Sequence, residues 1–165
     1  QISAGAGYSL ALKTNKTLWA WGNGANGRLG DGTTISKSSP VQIGALSDWA
    51  QISAAGQSLA IKINGTLWGW GQNATGQIGD GTIVNKSSPV QICSLYYWAE
   101  LSFGSLLSLA IKTNGTLWSW GLGTSGQLGD GTATSKSSPV QIGSLTTWDA
   151  VGYGSATNSS AGLST

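Results

Sequence analysis

Residues 58–70 read Ser-Leu-Ala-Ile-Lys-Ile-Asn-Gly-Thr-Leu-Trp-Gly-Trp, and this stretch decides the fold. Two strand-like runs flank Asn64-Gly65, a dipeptide that favours a type I′ hairpin turn because both central residues of that turn need a positive φ. Trp68 and Trp70 are two residues apart, so in a strand their side chains lie on one face. The stretch therefore predicts a β-hairpin with an aromatic face.

The same stretch occurs three times, at residues 9–21, 58–70 and 108–120. Each copy continues with Gly-Asp-Gly-Thr, starting at Gly30, Gly79 and Gly129, and then with Lys-Ser-Ser-Pro-Val-Gln-Ile. All nine Trp fall at three equivalent positions per copy. A repeat of this length indicates one supersecondary unit that is stabilised by its neighbours. The regular Trp spacing favours a repeated core over nine separate ligand contacts.

Each copy contains three or four strand-like runs and no helical period, which predicts an all-β fold of three tandem four-stranded β-propeller blades. The run that begins with Pro89 suits an edge strand, because proline cannot donate to a central ladder. The predicted copies span about 1–49, 50–98 and 99–148, with the start of a fourth at 149–154. Residues 155–165 are interpreted as a Ser/Thr-rich tail, or as a strand for a neighbour.

The motifs Ser-Leu-Ala-Ile-Lys-x-Asn-Gly-Thr-Leu-Trp-x-Trp-Gly, Gly-Gln-Leu-Gly-Asp-Gly-Thr and Ser-Pro-Val-Gln-Ile resemble the regulator of chromosome condensation (RCC1-like) repeat, in its bacterial and environmental form. The resemblance covers residues 1 to about 154. It implies four-stranded blades around a central axis, commonly seven in a closed propeller. Family members often carry His just before Ser-Leu-Ala, where this sequence has Tyr8, Gln57 and Leu107.

Three blades are fewer than the roughly four that close a propeller. We therefore expect partners for the two ends, either other copies of this chain or further repeats of a longer one. Apolar blade faces would otherwise remain exposed.

The sequence carries few groups that could perform catalysis. It contains no His, which excludes Ser-His-Asp and Cys-His arrangements and most zinc sites. Cys93 is the only cysteine and is interpreted as an inert small residue. The repeated Asp31, Asp80 and Asp130 are expected to cap their own tight turns, because a lone Asp between glycines offers too few oxygens for Ca²⁺. We expect no enzyme activity, no metal and no cofactor.

Residues that break the repeat are the candidates for recognition, because loops that diverge on a constant scaffold often bind ligands. They are Tyr96 and Tyr97, Arg28, and two residues of the divergent loops, Asn26 and Asn73. Six asparagines lie in Asn-x-Ser/Thr sequons and are possible glycan acceptors: Asn15, Asn64, Asn73, Asn85, Asn114 and Asn158.

Charged residues make up 8% of the chain and the net charge is +2, with Lys spread along the sequence. This distribution argues against binding to nucleic acid phosphates, and no apolar run is long enough to insert into a membrane. Many hydroxyl and amide side chains favour an extracellular location or a cell or virion surface. The function we expect is a non-catalytic scaffold, a structural or adhesive surface or filament module that binds protein or glycan through inter-strand loops. The alternatives are a guanine-nucleotide exchange factor-like, chromatin-associated propeller, which the resemblance implies, and a carbohydrate-binding propeller.

Overall fold

The computed structural model describes residues 1–94, 97–104, 106–153 and 160–164, and strands dominate them. The first sheet contains β1 (Ile2–Ala4), β2 (Tyr8–Leu12), β3 (Leu18–Gly22) and β4 (Lys37–Gln42). The second contains β5 (Trp49–Ala54), β6 (Gln57–Lys62), β7 (Leu67–Gly71) and β8 (Lys86–Gln91). The third contains β9 (Trp98–Phe103), β10 (Leu107–Lys112), β11 (Leu117–Gly121) and β12 (Lys136–Gln141). Among the described residues no helix is long and apolar enough to cross a membrane.

Each of these three sheets is an antiparallel meander in which the strands follow chain order. The predicted all-β fold of three four-stranded blades is confirmed. The strands that carry Pro40, Pro89 and Pro139 are the outermost strands of their sheets, as their proline predicts.

The core lies between consecutive blades, because each sheet presents apolar side chains on both faces. In β6, Ala60 packs with Leu10 and other residues of the first blade. The alternate residues Leu59 and Ile61 pack with Trp98 and other residues of the third blade. The period of two along the strand thus divides its side chains between two interfaces.

The hairpin at Asn64-Gly65 differs from the predicted type I′ turn, because only Gly65 of the pair has a positive φ, 75°. Lys62 closes a three-residue loop: its carbonyl accepts from Gly65 N–H at 2.9 Å, and its N–H donates to Thr66 at 3.0 Å. This is the type I turn followed by a residue in the left-handed region that also joins antiparallel strands. The dipeptide identified the hairpin correctly but not its turn type.

In the first blade the left-handed position is occupied by Lys16, with φ 65°. A side chain there costs about 1–2 kcal/mol relative to glycine, of which about 0.5–1 kcal/mol is offset by the greater freedom of unfolded glycine. We expect Lys16→Gly to raise the free energy of unfolding by about 0.5–1 kcal/mol, measured by urea denaturation. The reverse change Gly65→Lys is the control and should destabilise; equal midpoints for both variants would contradict this account.

The chain passes from one sheet to the next close to the predicted boundaries between copies. Trp49 and Trp98, placed at the ends of copies by the repeat, are the first residues of β5 and β9. After the third sheet, β13 (Trp148–Tyr153) pairs with β14 (Ser160–Ser164) in a two-stranded sheet. The stretch interpreted as a tail therefore includes one strand, and this strand pairs within the chain. β13 packs against β9 and β10, as β9 packs against β5 and β6.

Candidate binding surfaces at the blade junctions

In the second and third blades, two side chains donate hydrogen bonds to one carbonyl of the blade before. At the first junction, Ser58 Oγ and Trp70 Nε1 donate to the carbonyl oxygen of Arg28, at 2.8 and 3.0 Å. The two donors are neighbours because Ser58 lies opposite Trp70 in the register of β6 and β7. The second junction repeats the arrangement with Ser108, Trp120 and the carbonyl of Gln77, at 2.7 and 3.0 Å. These bonds satisfy buried polar atoms and fix how one blade sits on the next.

Glycines allow this close approach. A Cβ at Gly30 would lie 2.6 Å from Trp70 Nε1, and a Cβ at Gly79 would lie 2.5 Å from Trp120 Nε1. A Cβ on the glycine three residues earlier would also clash with the backbone of the next blade, at 2.5 Å from Ser87 Cα for Gly27 and 2.6 Å from Ser137 Cα for Gly76. Any side chain at these four positions would push the blades apart.

Among the described residues, no counterpart of β7 and β8 packs against the same positions of the third blade. We call this surface the third-blade end face and define it by Gly126, Gln127 and Gly129. Gly126 and Gly129 are exposed, whereas their second-blade counterparts are buried. A Cβ at Gly129 would meet nothing closer than Ile142 Cγ2, at 3.6 Å.

The first blade presents the complementary side chains. We call this surface the first-blade end face and define it by Ile2, Ser9 and Trp21. Ile2 is 76% exposed, whereas its counterpart Ile52 is 1% exposed at the first junction. Ser9 and Trp21 are half-buried, although the serines and tryptophans at their positions in the other blades are fully buried.

The repeated Asp organises the loop that precedes each outer strand. Thr82 N–H and Oγ1 donate to Asp80 Oδ1 at 3.0 and 2.8 Å, and Lys86 Nζ lies 3.1 Å from Oδ2. Burial tends to raise the pKa of Asp80, but the bonds from Thr82 and Lys86 outweigh it and hold the pKa below its usual value. Asp31 and Asp130 make the same contacts. The interpretation of these residues as turn caps is confirmed, and the described residues contain no cluster of three potential metal ligands.

A lysine packs between two indoles at each internal junction. Lys62 Nζ lies 4.9 Å from the Trp49 ring centroid and 4.4 Å from that of Trp68. It also pairs with Asp48 at 3.1 Å. Lys112 repeats the position between Trp98 and Trp118, where Tyr97 replaces Asp48. Burial lowers the pKa of Lys112, and the nearby Cys93 thiol partly offsets this effect.

A pocket of about 320 Å³ opens between the first and second blades. Its apolar wall is made by Leu46, Trp49, Trp68 and Pro89, and its polar lining includes Asp31, Gln42 and Ser88. Leu46 is 51% exposed. Because both blades contribute to the wall, the pocket depends on the geometry of the junction. Two aromatic rings with a few polar groups are typical of ligand pockets.

The structure corrects two of the predicted recognition residues. Arg28 is 8% exposed, and its guanidinium donates to the carbonyls of Ala25 and Ala6, at 3.0 and 2.8 Å. Asn73 is fully buried and donates to Asp80 Oδ1 and to backbone carbonyls of its own loop. Both side chains are used internally, because each ties a divergent loop to the blade that carries it.

The other predicted recognition residues lie apart from one another. Asn26 is exposed at φ 59° and accepts from Asn85 Nδ2 at 3.2 Å, in a second inter-blade pocket. Tyr97 is 71% exposed at φ 72°, beside Gly65 in a third pocket. Tyr96 lies outside the described residues.

The sequons divide by burial. The exposed sequon asparagines are Asn15, Asn64, Asn85 and Asn114. The prediction that Asn73 is a glycan acceptor is corrected, because its side chain is buried in the folded chain. Asn158 lies outside the described residues. In each hairpin the Asn-x-Thr pattern has a local role, as when Trp68 Nε1 donates to Thr66 Oγ1 and Thr66 Oγ1 donates to Asn64 Oδ1.

The sequence did not reveal that Ser58 and Ser108 form hydrogen bonds across the blade junctions. It also did not reveal the role of the position before Ser-Leu-Ala. Tyr8 Oη contacts the Gln57 carbonyl and Ser58 Oγ, both at 2.7 Å, and burial raises its pKa above the usual range. Gln57 in turn donates to Ser108 Oγ at 3.2 Å. The repetition of Ser at this place in every copy was a signal for a buried hydrogen bond, but its partner is a backbone carbonyl that has no signature in the sequence.

The comparison with known families decides the membership of this chain. A family model described as the regulator of chromosome condensation (RCC1) repeat matches residues 17–61, 64–111 and 114–158, and a second model of the same description matches residues 1–28 and 98–127. The chain belongs to this family. Its RCC1 repeats are offset from the blades, since residues 17–61 contain the two outer strands of the first blade and the two inner strands of the second.

Two curated proteins resemble short parts of this RCC1-repeat chain. The ultraviolet-B receptor UVR8 of Arabidopsis thaliana is 44% identical over 45 residues, 27% of this chain and 10% of the receptor. The serine/threonine-protein kinase Nek8 of Danio rerio is 39% identical over 49 residues, 30% of this chain and 7% of the kinase.

Solved structures resemble this chain over most of its length. Human WBSCR16 has a TM-score of 0.74 at 25% identity, covering 87% of this chain and 37% of that protein. Prp20p of Saccharomyces cerevisiae, described with its binding to Gsp1p and histones, has a TM-score of 0.74 at 22% identity, covering 87% and 38%. The chain therefore spans less than two fifths of these structures.

Proposed function

We propose that this chain is a non-catalytic scaffold module of a structural or adhesive kind, which binds protein through the loops at its first blade junction. The observation that carries the proposal is the pocket lined by Trp49, Trp68 and Pro89, with Leu46 exposed at its rim. Aromatic and proline-lined grooves of this kind suit an apolar side chain on an extended protein segment. One protein with this fold, yeast Prp20, binds Gsp1p and histones and is bound by Kap60.

A surface location, extracellular or on a cell or virion, is part of the same proposal. The low charge content supports it, as do the four exposed sequons at Asn15, Asn64, Asn85 and Asn114. Completion of the blade array by other copies of the chain, or by further repeats, is also part of it, because both end faces carry uncovered junction groups.

A displayed peptide library tests the protein-binding function. We expect selected peptides to carry an apolar or aromatic anchor, and Trp68→Ala to weaken their binding by about 10-fold or more, since truncating an interface Trp commonly costs over 1 kcal/mol. Trp118→Ala, the equivalent change at the second junction, is the matched control and should leave binding unchanged. Equal loss in both variants, or no enriched peptide, would contradict the proposed site.

Glycan binding is the second candidate, and the polar groups beside the indoles favour it. Gln42, Asp31 and Ser88 line the same pocket as Trp68, and sugars combine stacking on an aromatic ring with hydrogen bonds to such groups. Tryptophan fluorescence titrated with a glycan panel separates the candidates: a response that is lost in Trp68→Ala supports glycan, and an unchanged spectrum counts against it.

An exchange-factor activity receives less support from the charges. Four of the six acidic residues pair with lysines of their own chain, which leaves no large acidic or basic face among the described residues. Acceleration of nucleotide release from a small GTPase would revive this alternative.

A further inference from the structure

We infer that the ammonium of Lys112 binds a carboxylate from a partner protein, in the place that Asp48 fills for Lys62 at the first junction. The site lies at the second junction and is separate from the pocket at Trp49 and Trp68. The two lysines and the indoles around them are equivalent in the repeat, so the first junction shows which group the second one lacks.

At the first junction the lysine has a complete set of partners. Lys62 Nζ lies 4.9 Å from the ring centroid of Trp49, 4.4 Å from that of Trp68 and 3.1 Å from Asp48 Oδ2. The Lys62 side chain is 7% exposed, whereas that of Asp48 is 43% exposed. The carboxylate therefore lies on the solvent side of the ammonium.

At the second junction the same pair of indoles surrounds a lysine that has no carboxylate. Lys112 Nζ lies 4.9 Å from the Trp98 ring centroid and 4.5 Å from that of Trp118. Tyr97 stands where the first junction has Asp48. Within the described part of the chain, no acidic side chain lies within ion-pair distance of this ammonium.

Glu100, on the strand beside Lys112, is used elsewhere. Its carboxylate accepts from the Val151 N–H at 3.3 Å. Val151 packs with Ile111, whose side chain lies on the opposite face of β10 from that of Lys112 because the two are consecutive in the strand. The chain therefore offers this lysine no substitute for Asp48 from β9.

The lysine is left partly desolvated and without a counter-charge. Lys112 is half-buried, and burial lowers its pKa, because loss of water disfavours the ammonium. The indole faces attract the cation but carry no net charge. A carboxylate from outside would restore the pair that the first junction makes internally.

A neighbouring pocket indicates what accompanies the carboxylate. Trp98, which flanks Lys112, also lines a pocket of about 450 Å³. Its lining includes Tyr97 and Ile63, which are 71% and 63% exposed. An apolar side chain placed there would add buried area to the charge pair, which an acidic sugar cannot supply. The occupant we expect is an extended protein segment with Asp or Glu beside an apolar residue.

Capped tetrapeptides that place Asp or Glu beside an apolar residue, each matched with its Asn or Gln counterpart, test the inference on the full chain. We expect the acidic peptides to bind at least about 10-fold more tightly than their neutral counterparts, by fluorescence anisotropy of labelled peptides. They should also shift the NMR signal of the Lys112 ε-carbon. Lys112→Gln should bind acidic and neutral peptides equally.

Two variants of Tyr97 separate the carboxylate from other effects. Tyr97 has a φ of 72°, which Asp and Asn tolerate better than most residues. Tyr97→Asp supplies an internal carboxylate and should remove the preference for acidic peptides, whereas Tyr97→Asn, the matched control, should keep it. Tyr97→Asp should also raise the pKa of Lys112 in an NMR titration, because an adjacent carboxylate favours the ammonium.

Several results would overturn the inference. Acidic peptides that bind no better than neutral ones, or an equal loss of preference in both Tyr97 variants, would show that no carboxylate is recognised at Lys112. Acetate or glucuronate that binds as tightly as the acidic peptides would make a simple anion or an acidic sugar the ligand instead.

The site can fail independently of the proposed function. Trp68→Ala should bind the acidic peptides as wild type does, because Trp68 lies at the other junction. Tyr97→Asp should bind peptides selected for the pocket at Trp49 and Trp68 as wild type does. Failure of that pocket and failure of the Lys112 site are therefore separate results.

Discussion

Replacing Trp70 with alanine is expected to lower the free energy of unfolding by about 3–5 kcal/mol, the cost of removing a large aromatic side chain from a packed core. Trp70 is fully buried between the first two blades and makes an edge contact with Trp49, with ring centroids 6.2 Å apart. Its Nε1 also donates to the Arg28 carbonyl at 3.0 Å, so the change leaves a buried acceptor with one bond fewer.

Trp21→Ala is the matched control, because Trp21 holds the same repeat position in the first blade. It is only half-buried, since it lies on the first-blade end face. We expect this change to cost about 2 kcal/mol, less than Trp70→Ala, because part of the Trp21 indole already contacts water in the folded chain. Urea denaturation followed by circular dichroism measures both variants without depending on the indole that is removed. Equal losses in the two variants would show that burial between blades is not what stabilises this position.

The blade architecture was predictable because its signal is repeated three times. Hairpin dipeptides, paired Trp and the proline of the outer strand each occur at a fixed place in every copy, and each corresponds to one feature of the sheets. The Asp of Gly-Asp-Gly was equally predictable, because its hydrogen bonds are made within two residues of itself.

The candidate site was less predictable, because its contacts cross between blades about 30 to 50 residues apart in the chain. Arg28 looks like a recognition residue in the sequence, since it replaces a glutamine of the other copies, yet its carbonyl and not its charge is the junction acceptor. Asn73 looks like a loop residue and a sequon, but its amide is buried within that loop. Substitution away from a repeat shows where copies differ and does not show whether the side chain faces solvent.

The pocket at Trp49 and Trp68 illustrates the same limit. Both tryptophans were correctly expected to pack in a repeated core, and their rings do meet at 6.1 Å in an edge contact. That they also line an open pocket depends on residues of the preceding blade, such as Leu46, which the repeat alone does not place beside them.

Replacing Gly79 with alanine is expected to be the second most damaging change. Its φ of 92° lies in the left-handed region, which costs an alanine about 1–2 kcal/mol. The new Cβ would also lie 2.5 Å from Trp120 Nε1, and relieving this clash by moving the third blade costs about 1–3 kcal/mol more. We therefore expect Gly79→Ala to lower the free energy of unfolding by about 2–5 kcal/mol.

Gly129→Ala separates the two causes, because Gly129 has the same turn and a similar φ of 74° but lies on the third-blade end face. Its Cβ would meet only Ile142, at an ordinary 3.6 Å, so a monomeric chain should lose about 1–2 kcal/mol from backbone strain alone. The difference between the two urea midpoints then measures the contact that the third blade makes with the glycine of the second. If Gly129→Ala costs as much as Gly79→Ala, backbone strain accounts for the whole effect, and the glycine is kept for its turn and not for the approach of the next blade. If the costs differ as expected, the first glycine of Gly-Asp-Gly at an internal junction serves both the turn and the close approach of the next blade.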